Sequence, residues 1–314
     1  MDSSQEIGSE CGAFESDQPT ITAYANRETS LGSLHISRAL PIRERRLVGP
    51  WCFLDRFGPV SFSDEKPMNV PPHPHIGLQT VSWLLEGEVL HTDSLNSEAT
   101  VRPGGVNVMT AGYGIAHAEE TPPNHSGLLN GVQLWVALPD QHRETPPSFT
   151  HVAQVPIFES KTSLAKVFAG TLGNVTAPDL YFSEILGAEI TLYPGQISTF
   201  ELNPLFEHAV LLLNGDGELE NQPLSPNTLY YLSPSREGLE INSHTGCKLL
   251  LIGGQPFPNK ILMWWNFVAR TPEEIRQAKS DWDTHQRFGE VTGTDLKRLT
   301  SPDLGRFASP NPAS

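Results

Sequence analysis

Short apolar runs, each bounded by turns that contain glycine or proline, recur along most of this chain of 314 residues. Runs at 78–85, 106–110 and 129–138 alternate with turns at Glu86-Gly87 and Pro103-Gly104. Apolar runs of this length with turn residues on both sides are typical of buried strands. The 26 glycines and 27 prolines suit a chain with many turns. The pattern therefore predicts an all-β protein.

The strand pattern of the first half of the chain is repeated in the second half. Leu84-Leu85-Glu86-Gly87 has a counterpart in Leu212-Leu213-Asn214-Gly215, and Val101-Arg102-Pro103-Gly104 has one in Leu224-Ser225-Pro226-Asn227. The offset between the two copies changes only from 128 to 123 residues. A repeat of this length indicates two copies of one domain.

We predict two β domains, at residues 31–146 and 147–270, that meet at Pro146-Pro147. Residues 1–30 are polar and show little periodicity, so we expect a loosely ordered segment there. Residues 271–314 follow neither pattern, and they predict a short helix and then a wandering tail rich in proline, serine and glycine.

The predicted helix begins at a capping box. Thr271 is placed as the N-cap, Pro272 as the first helical residue and Glu274 as the third. Apolar residues then follow at helical spacing, namely Ile275, Ala278 and Trp282. We expect an amphipathic helix over about 272–287 that packs its apolar side on a sheet.

The net charge and the cysteines narrow the class of protein. A formal net charge of −15 opposes direct nucleic-acid binding and adhesion to anionic membranes. The apolar runs are too short to span a bilayer. The three cysteines, Cys11, Cys52 and Cys247, form no CxxC pair, which fits a reducing, cytoplasmic setting. The first residues are acidic and polar, which does not fit a signal peptide.

Two pairs of polar residues carry the candidate chemistry. His73 and His75 are two residues apart, and so are His117 and Glu119. Since residues two apart on a strand point to the same face, two adjacent strands can direct all four side chains at one point. Three imidazoles and a carboxylate without cysteine do not match structural zinc. They suit a six-coordinate ion with two open positions. Imidazole suits zinc, copper, iron and nickel, and the carboxylate shifts the preference toward manganese and iron(II).

The other histidines give weaker signals. His91 is interpreted as a hydrogen-bonded strand histidine near the site. Shifting His73 and His75 by 128 residues leads to Glu201 and Asn203, so the second domain lacks the ligand pair. His208 and His244 belong to no such pair and are expected to be surface or turn histidines. The second domain is then structural or contributes a pocket wall.

Three stretches of the sequence resemble the pirin family, a branch of the cupin superfamily. The first runs from His73-Pro74-His75-Ile76-Gly77 to Leu84-Leu85-Glu86-Gly87, and the second from Pro103-Gly104-Gly105 to His117-Ala118-Glu119. The third is Arg270-Thr271-Pro272-Glu273-Glu274 with the nearby Arg287-Phe288-Gly289. The resemblance implies two jelly-roll cupin β-barrel domains. It also implies an iron in the first domain, held by His73, His75, His117 and Glu119.

The family includes quercetin 2,3-dioxygenases, so the resemblance implies an enzyme that opens a flavonol-like ring with O2. Glu119 would then also be the catalytic general base for the substrate hydroxyl. The alternative is a metal- or redox-sensing regulator that binds a protein partner, either a transcription factor or a metabolic enzyme. Two residues depart from the family pattern. Gln79 replaces a Glu, which we expect to alter the hydrogen bonds that orient the histidines, and Tyr113 replaces an Arg near the metal.

Overall fold

The computed structural model describes residues 19–31, 34–63 and 68–304, and most of the described chain is β-strand. The strands as far as residue 152 are β1 Ile21–Ala25, β2 Arg27–Leu31, β3 Leu34–Leu40, β4 Trp51–Ser61, β5 Asn69–His75, β6 Leu78–Gly87, β7 Val89–Asp93, β8 Glu98–Val101, β9 Val106–Thr110, β10 Ile115–Glu120, β11 Leu128–Ala137 and β12 Ser148–Val152. The later elements are β13 Ile157–Glu159, β14 Ser163–Ala169, β15 Thr171–Leu172, β16 Val175–Thr176, β17 Ile185–Leu192, β18 Gln196–Glu201, β19 Glu207–Gly215, β20 Glu218–Leu219, β21 Gln222–Pro223, β22 Thr228–Leu232, β23 Gly238–Ser243, β24 Cys247–Gly254, β25 Leu262–Trp264, β26 Phe267–Ala269 and the helix α1 Pro272–Asp283. Within these ranges no helix is long and apolar enough to cross a membrane.

Each of the two domains contains one sheet of seven strands and one of four. In the first domain the orders are β12-β9-β6-β11-β4-β3-β2 and β5-β10-β7-β8. In the second domain they are β1-β22-β19-β24-β17-β14-β13 and β18-β23-β20-β21. This confirms the all-β prediction with two jelly-roll domains, which are double-sheet sandwiches and not closed barrels.

The two domains exchange edge strands. β1, which precedes the first domain, pairs with β22 of the second, with Ile21 opposite Leu232. β12, which precedes the second domain, pairs with β9 of the first, with Ser148 opposite Thr110. The expected boundary at 146/147 therefore differs from the sheet edge, because residues 148–152 belong to the first domain's sheet.

The expectation of a loosely ordered segment at 1–30 is wrong for the part that the structure describes. Residues 1–18 lie outside the described ranges, but residues 21–25 and 27–31 are strands. These residues have little hydrophobic periodicity of their own, because both strands lie at sheet edges and most of their residues are exposed. Their order comes from ladder hydrogen bonds to β22 and β3.

The seven-stranded sheets of the two domains pack on each other around a shared core. The indole nitrogen of Trp51 donates to the carbonyl oxygens of Leu186 and Gly253, at 3.1 and 3.0 Å. Trp83 Nε1 donates to the Glu189 carboxylate at 2.8 Å. Each tryptophan thereby buries its apolar ring and still satisfies its N–H group. The central strands of these sheets, such as β6, β19 and β24, are buried on both faces, which explains their continuous apolar runs.

The helix begins as predicted and ends earlier. Thr271 is the N-cap, and its hydroxyl accepts a hydrogen bond from Glu274 N at 3.2 Å. The helix ends at Asp283 instead of 287, because His285 and Arg287 adopt the left-handed conformation with φ of 56° and 69°.

The chain after the second domain returns to the first domain. Val268 N donates to Ile76 O at 3.1 Å, and Leu299 N donates to Pro72 O at 2.9 Å. Trp282 Nε1 in turn donates to Leu299 O at 2.9 Å. The expectation of a wandering tail is therefore wrong as far as residue 304. We call residues 262–304 the C-terminal extension.

Candidate metal centre

The strands β5 and β10 bring the predicted residues together. β5 contains Pro71, Pro72 and Pro74 and is an edge strand, where proline costs no ladder hydrogen bond. It pairs antiparallel with β10, which places His117 opposite His73. The register between these strands shifts between His117 and Glu119. Such an irregularity re-aims the side chains around it, as is common beside functional sites.

Three of the four predicted ligands form a compact group. Among the described residues, His73, His75 and His117 are the group whose candidate ligand atoms all lie within 4.8 Å of one another. His75 Nε2 lies 3.1 Å from His117 Nε2. All three side chains are buried. The prediction from i, i+2 spacing that two adjacent strands would bring these imidazoles together is confirmed.

The outer nitrogens of the first two rings have backbone partners. His73 Nδ1 lies 2.8 Å from Pro71 O, and His75 Nδ1 lies 3.0 Å from Asn266 O. A carbonyl oxygen can only accept, so each Nδ1 must carry the proton and donate it. Each Nε2 is then an unprotonated lone pair directed into the group. A backbone carbonyl that fixes the imidazole tautomer in this way is the usual second partner of a metal-binding histidine.

Burial keeps these imidazoles neutral. It lowers the pKa of His73 to about 4 and holds the pKa values of His75 and His117 well below the usual range. Repulsion among the neighbouring histidines adds to the effect for His75 and His117. Neutral imidazole is the form that binds metal ions.

Glu119 lies in the same cavity, but its carboxylate is not part of the compact group. Its Oε1 accepts a hydrogen bond from Ser82 Oγ at 3.1 Å. Burial raises the pKa of this carboxyl group, and the nearby His91 and the bond from Ser82 lower it in part. Glu119 as a ligand therefore stays a prediction.

A cavity of about 370 Å³ opens onto the imidazoles. The stacked rings of Phe53 and Trp135 lie on its wall, with centroids 4.0 Å apart. Arg38 and Asp55 add an ion pair there, with two N–O contacts of 2.7 Å. This volume and mixed lining are typical of small-molecule sites. The arrangement suits a flat, partly apolar molecule with polar substituents.

The C-terminal extension completes the cavity, which the sequence did not indicate. Trp265, Asn266 and Leu299 line it together with residues of the first domain. Asn266 acts through its backbone carbonyl, so no side-chain motif could identify it. Of the two roles left open for the second domain, residues 265 and 266, within its predicted range of 147–270, take the pocket-wall role.

The remaining histidines divide into two cases. His91, expected to be a hydrogen-bonded strand histidine, is buried and contacts both Asp93 and His117. His244 is exposed, as expected. The expectation for His208 is wrong, because it is fully buried and neither ring nitrogen has a partner among the described residues. The ring of His208 packs against Gly253, which has no side chain that would collide with it.

The two departures from the family pattern have other neighbours than expected. Gln79 Nε2 donates to Thr110 Oγ1 and Leu180 O, at 2.9 and 2.8 Å, so this amide joins the first domain to residue 180. Tyr113 is half exposed, and the Arg287 guanidinium lies 4.1 Å from its ring centroid. A cation therefore stands beside residue 113 even though the family's Arg is replaced.

The donor set fits a metal ion. Burial keeps all three imidazoles neutral, and His75 Nε2 lies 3.1 Å from His117 Nε2, so one cation can reach both nitrogens. His73, His75 and His117 would hold the ion, with imidazole suiting iron, copper, nickel or zinc.

Comparisons with known proteins agree with this fold. The Pirin family model matches residues 33–136, and the model of the Pirin C-terminal cupin domain matches residues 187–289. A Pseudomonas aeruginosa protein named "Putative quercetin 2,3-dioxygenase" is 40% identical over 274 residues, which is 87% of each chain. The crystal structure of a quercetin 2,3-dioxygenase from Acinetobacter baumannii gives a TM-score of 0.89 at 38% identity, covering 92% of this chain and 97% of that one.

A bacterial pirin from Escherichia coli, solved in complex with nickel(II), shares the fold, with a TM-score of 0.60 at 15% identity over 76% of this chain and all of the other. Two jelly-roll domains with a buried three-histidine group in the first define a bicupin of the cupin superfamily. The chain belongs to the pirin family, which confirms the resemblance seen in its sequence.

Proposed function

We propose that this protein is a metal-dependent dioxygenase that opens the ring of a flavonol-like substrate with O2. The proposal rests mainly on the convergence of three buried imidazoles at the wall of an aromatic-lined cavity. His73, His75 and His117 hold the ion, and Glu119 is the fourth ligand. The dioxygenase names of the Pseudomonas and Acinetobacter relatives, at about 40% identity, support the same reaction.

Iron(II) is our first choice of metal, with manganese, cobalt, nickel, copper and zinc as alternatives. A bound ion of this kind supplies a Lewis acid and, in the case of iron, an electron donor for dioxygen. The nickel(II) complex of the Escherichia coli pirin shows that a protein with this fold accepts another first-row metal.

The residues of the chain bind and orient the substrate. The face of the Phe53 and Trp135 pair packs against the flat ring system. Asp55, held by Arg38, accepts hydrogen bonds from substrate hydroxyl groups. Trp265 and Leu299 exclude water from the reacting part of the cavity.

Glu119 takes the proton from the substrate hydroxyl. Its carboxylate lies in the cavity wall, held by Ser82. Burial raises the pKa of this carboxyl group in the metal-free protein, so Glu119 is a stronger base than an exposed glutamate when it is released from the ion. Removing the hydroxyl proton leaves an electron-rich enolate, the form of a flavonol that reacts with O2.

The acidic net charge and the buried, unpaired Cys52 and Cys247 support a cytoplasmic protein that does not bind nucleic acid directly. Its small-molecule partners in this proposal are the flavonol-like substrate and O2. A protein partner belongs to the regulatory alternative.

Anaerobic loading with iron(II), followed by quercetin and O2, tests the proposal. We expect the flavonol absorbance to decay and both atoms of ¹⁸O2 to enter the product. His244→Ala, at an exposed position, is the matched control for His117→Ala, and only the latter should abolish the decay. If quercetin persists with each of the six metals although the ion is bound, the enzyme proposal fails and the regulatory alternative is favoured.

A further inference from the structure

We propose that His91 and Asp93 are positioning residues for the metal centre, because they hold His117 in the tautomer that presents Nε2 to the ion. This inference rests on the proposed metal site but not on the dioxygenase reaction. We call the three residues His117, His91 and Asp93 the histidine relay.

The relay is a consequence of strand pairing. His91 and Asp93 are two residues apart on β7, so their side chains share one face of the sheet. β7 pairs with β10 and places Asp93 opposite His117 and His91 opposite Glu119. His117 Nδ1 lies 3.3 Å from His91 Nδ1, and His91 Nε2 lies 3.2 Å from Asp93 Oδ2.

The direction of the hydrogen bonds follows from the far end of the relay. Asp93 Oδ1 accepts from the backbone N–H groups of Leu95 and Ser97, at 2.8 and 2.9 Å, which fixes the carboxylate. Its Oδ2 therefore accepts from His91 Nε2–H. The Nδ1 of a neutral His91 then carries a lone pair, and it accepts from His117 Nδ1–H. His117 Nε2 is left unprotonated and faces His75.

The relay is buried, and an aromatic ring packs against its central histidine. The residues His91, Asp93 and His117 are each at most 3% exposed. The ring of Phe149 stacks on His91 with a centroid distance of 4.1 Å and an angle of 6°. Phe149 belongs to β12, the strand that leads from the first domain to the second. Packing on one face and a hydrogen bond at each nitrogen leave the imidazole of His91 one orientation.

The relay sets His117 apart from the other two histidines. His73 and His75 donate to backbone carbonyls, which no side-chain substitution removes. His117 depends on two side chains, so its tautomer can be changed by mutation. Asp93→Asn is the informative variant, because the amide is nearly isosteric with the carboxylate.

In Asp93→Asn, the amide oxygen remains with Leu95 N and Ser97 N, and the amide N–H faces His91. His91 Nε2 must then accept, and its proton moves to Nδ1. His117 Nδ1 becomes an acceptor, and its proton moves to Nε2, where it blocks the metal. The same logic applies wherever an acid orients an imidazole through a hydrogen bond.

The test combines nitrogen-15 NMR of the metal-free protein with cobalt(II) titration. We expect the wild-type His117 to carry its proton on Nδ1, and Asp93→Asn to move it to Nε2. The variant should bind cobalt(II) about 10 to 100 times more weakly. Asp281→Asn, which alters another buried carboxylate outside the relay, should leave both readouts unchanged. Asp93→Glu should restore part of the affinity.

Three results would overturn the inference. The first is a wild-type His117 that carries its proton on Nε2. This measurement uses only the wild-type protein, so it does not depend on whether a variant folds. The second is wild-type cobalt(II) affinity in a folded Asp93→Asn protein. The third is a wild-type protein that binds no cobalt(II), which would remove the proposed metal centre as well. Loss of quercetin turnover with normal cobalt(II) binding and the expected tautomer would instead count against the dioxygenase alone.

Discussion

His75 Nε2 lies 3.1 Å from His117 Nε2, across the paired strands β5 and β10. The proton of His75 is on Nδ1, where it is donated to Asn266 O in the C-terminal extension. The metal centre is therefore shaped from two directions, by the strands that carry the imidazoles and by the extension that orients one of them.

The metal-free protein should lose stability as the pH falls from 6.5 toward 4. The pKa of His73 is lowered by burial to about 4 in the folded protein, against about 6.5 in the unfolded chain. Between these values the unfolded state binds the proton and the folded state does not, so acid favours unfolding. The His73 imidazole alone lowers the free energy of unfolding by about 1.4 kcal/mol for each pH unit in that range. Urea denaturation at several pH values measures it, and His73→Leu should reduce the slope.

His208 should contribute a similar acid sensitivity from the second domain. Burial, with repulsion from Arg236, lowers the pKa of His208 to about 4. Neither ring nitrogen of His208 has a hydrogen-bond partner among the described residues, so His208→Leu removes no hydrogen bond to them. We expect the variant to lower the slope of unfolding free energy against pH by about 1.4 kcal/mol per unit. A slope equal to that of the wild type between pH 6.5 and 4 would refute this assignment.

Gly77→Ala should weaken both the fold and the metal centre. Gly77 has a φ of +67°, and a Cβ there would lie 2.1 Å from Val268 O. The extension must therefore move, and with it the Asn266 carbonyl that orients His75. Gly195→Ala is the matched control, since Gly195 has a φ of +69° with no atom within 4 Å of the added carbon.

The control should cost about 1 kcal/mol of unfolding free energy from backbone strain alone. Gly77→Ala should cost clearly more and should also reduce cobalt(II) affinity. Equal losses in the two variants, with cobalt(II) affinity unchanged in both, would show that the approach of the extension is unimportant.

Trp83→Phe should destabilise the contact between the domains. The substitution removes the 2.8 Å hydrogen bond that Trp83 Nε1 donates to the Glu189 carboxylate, and it leaves a gap in the shared core. We expect a loss of roughly 2 to 4 kcal/mol in urea denaturation. Trp264→Phe, at a half-buried position of the extension, is the control and should cost less. A smaller loss for Trp83→Phe than for Trp264→Phe would contradict the interpretation of the shared core.

Features set by local pattern could be predicted from the sequence. Strand β9 occupies residues 106–110 as expected, and the Thr271 cap begins the helix. The i, i+2 spacing of His73 and His75 was enough to direct both rings to one face. In each case the determinant lies within a few residues of the feature, so the sequence carries it directly.

Features set by distant parts of the chain could not be predicted. Residues 21–25 are a strand because β22 of the other domain offers an unpaired edge. Asn266 and Leu299 reach the site through backbone groups, which carry no side-chain signal. The role of His91 depends on which residue faces it on β10, and strand register is a property of the folded sheet.

The metal content of the reconstituted protein decides whether the three imidazoles hold an ion. After incubation with iron(II) under anaerobic conditions and removal of the excess, we predict one bound ion per chain in the wild type and in His244→Ala. His73→Ala, His75→Ala and His117→Ala should each retain far less. A wild-type protein without bound iron, or His73→Ala that retains as much as the wild type, would contradict the account.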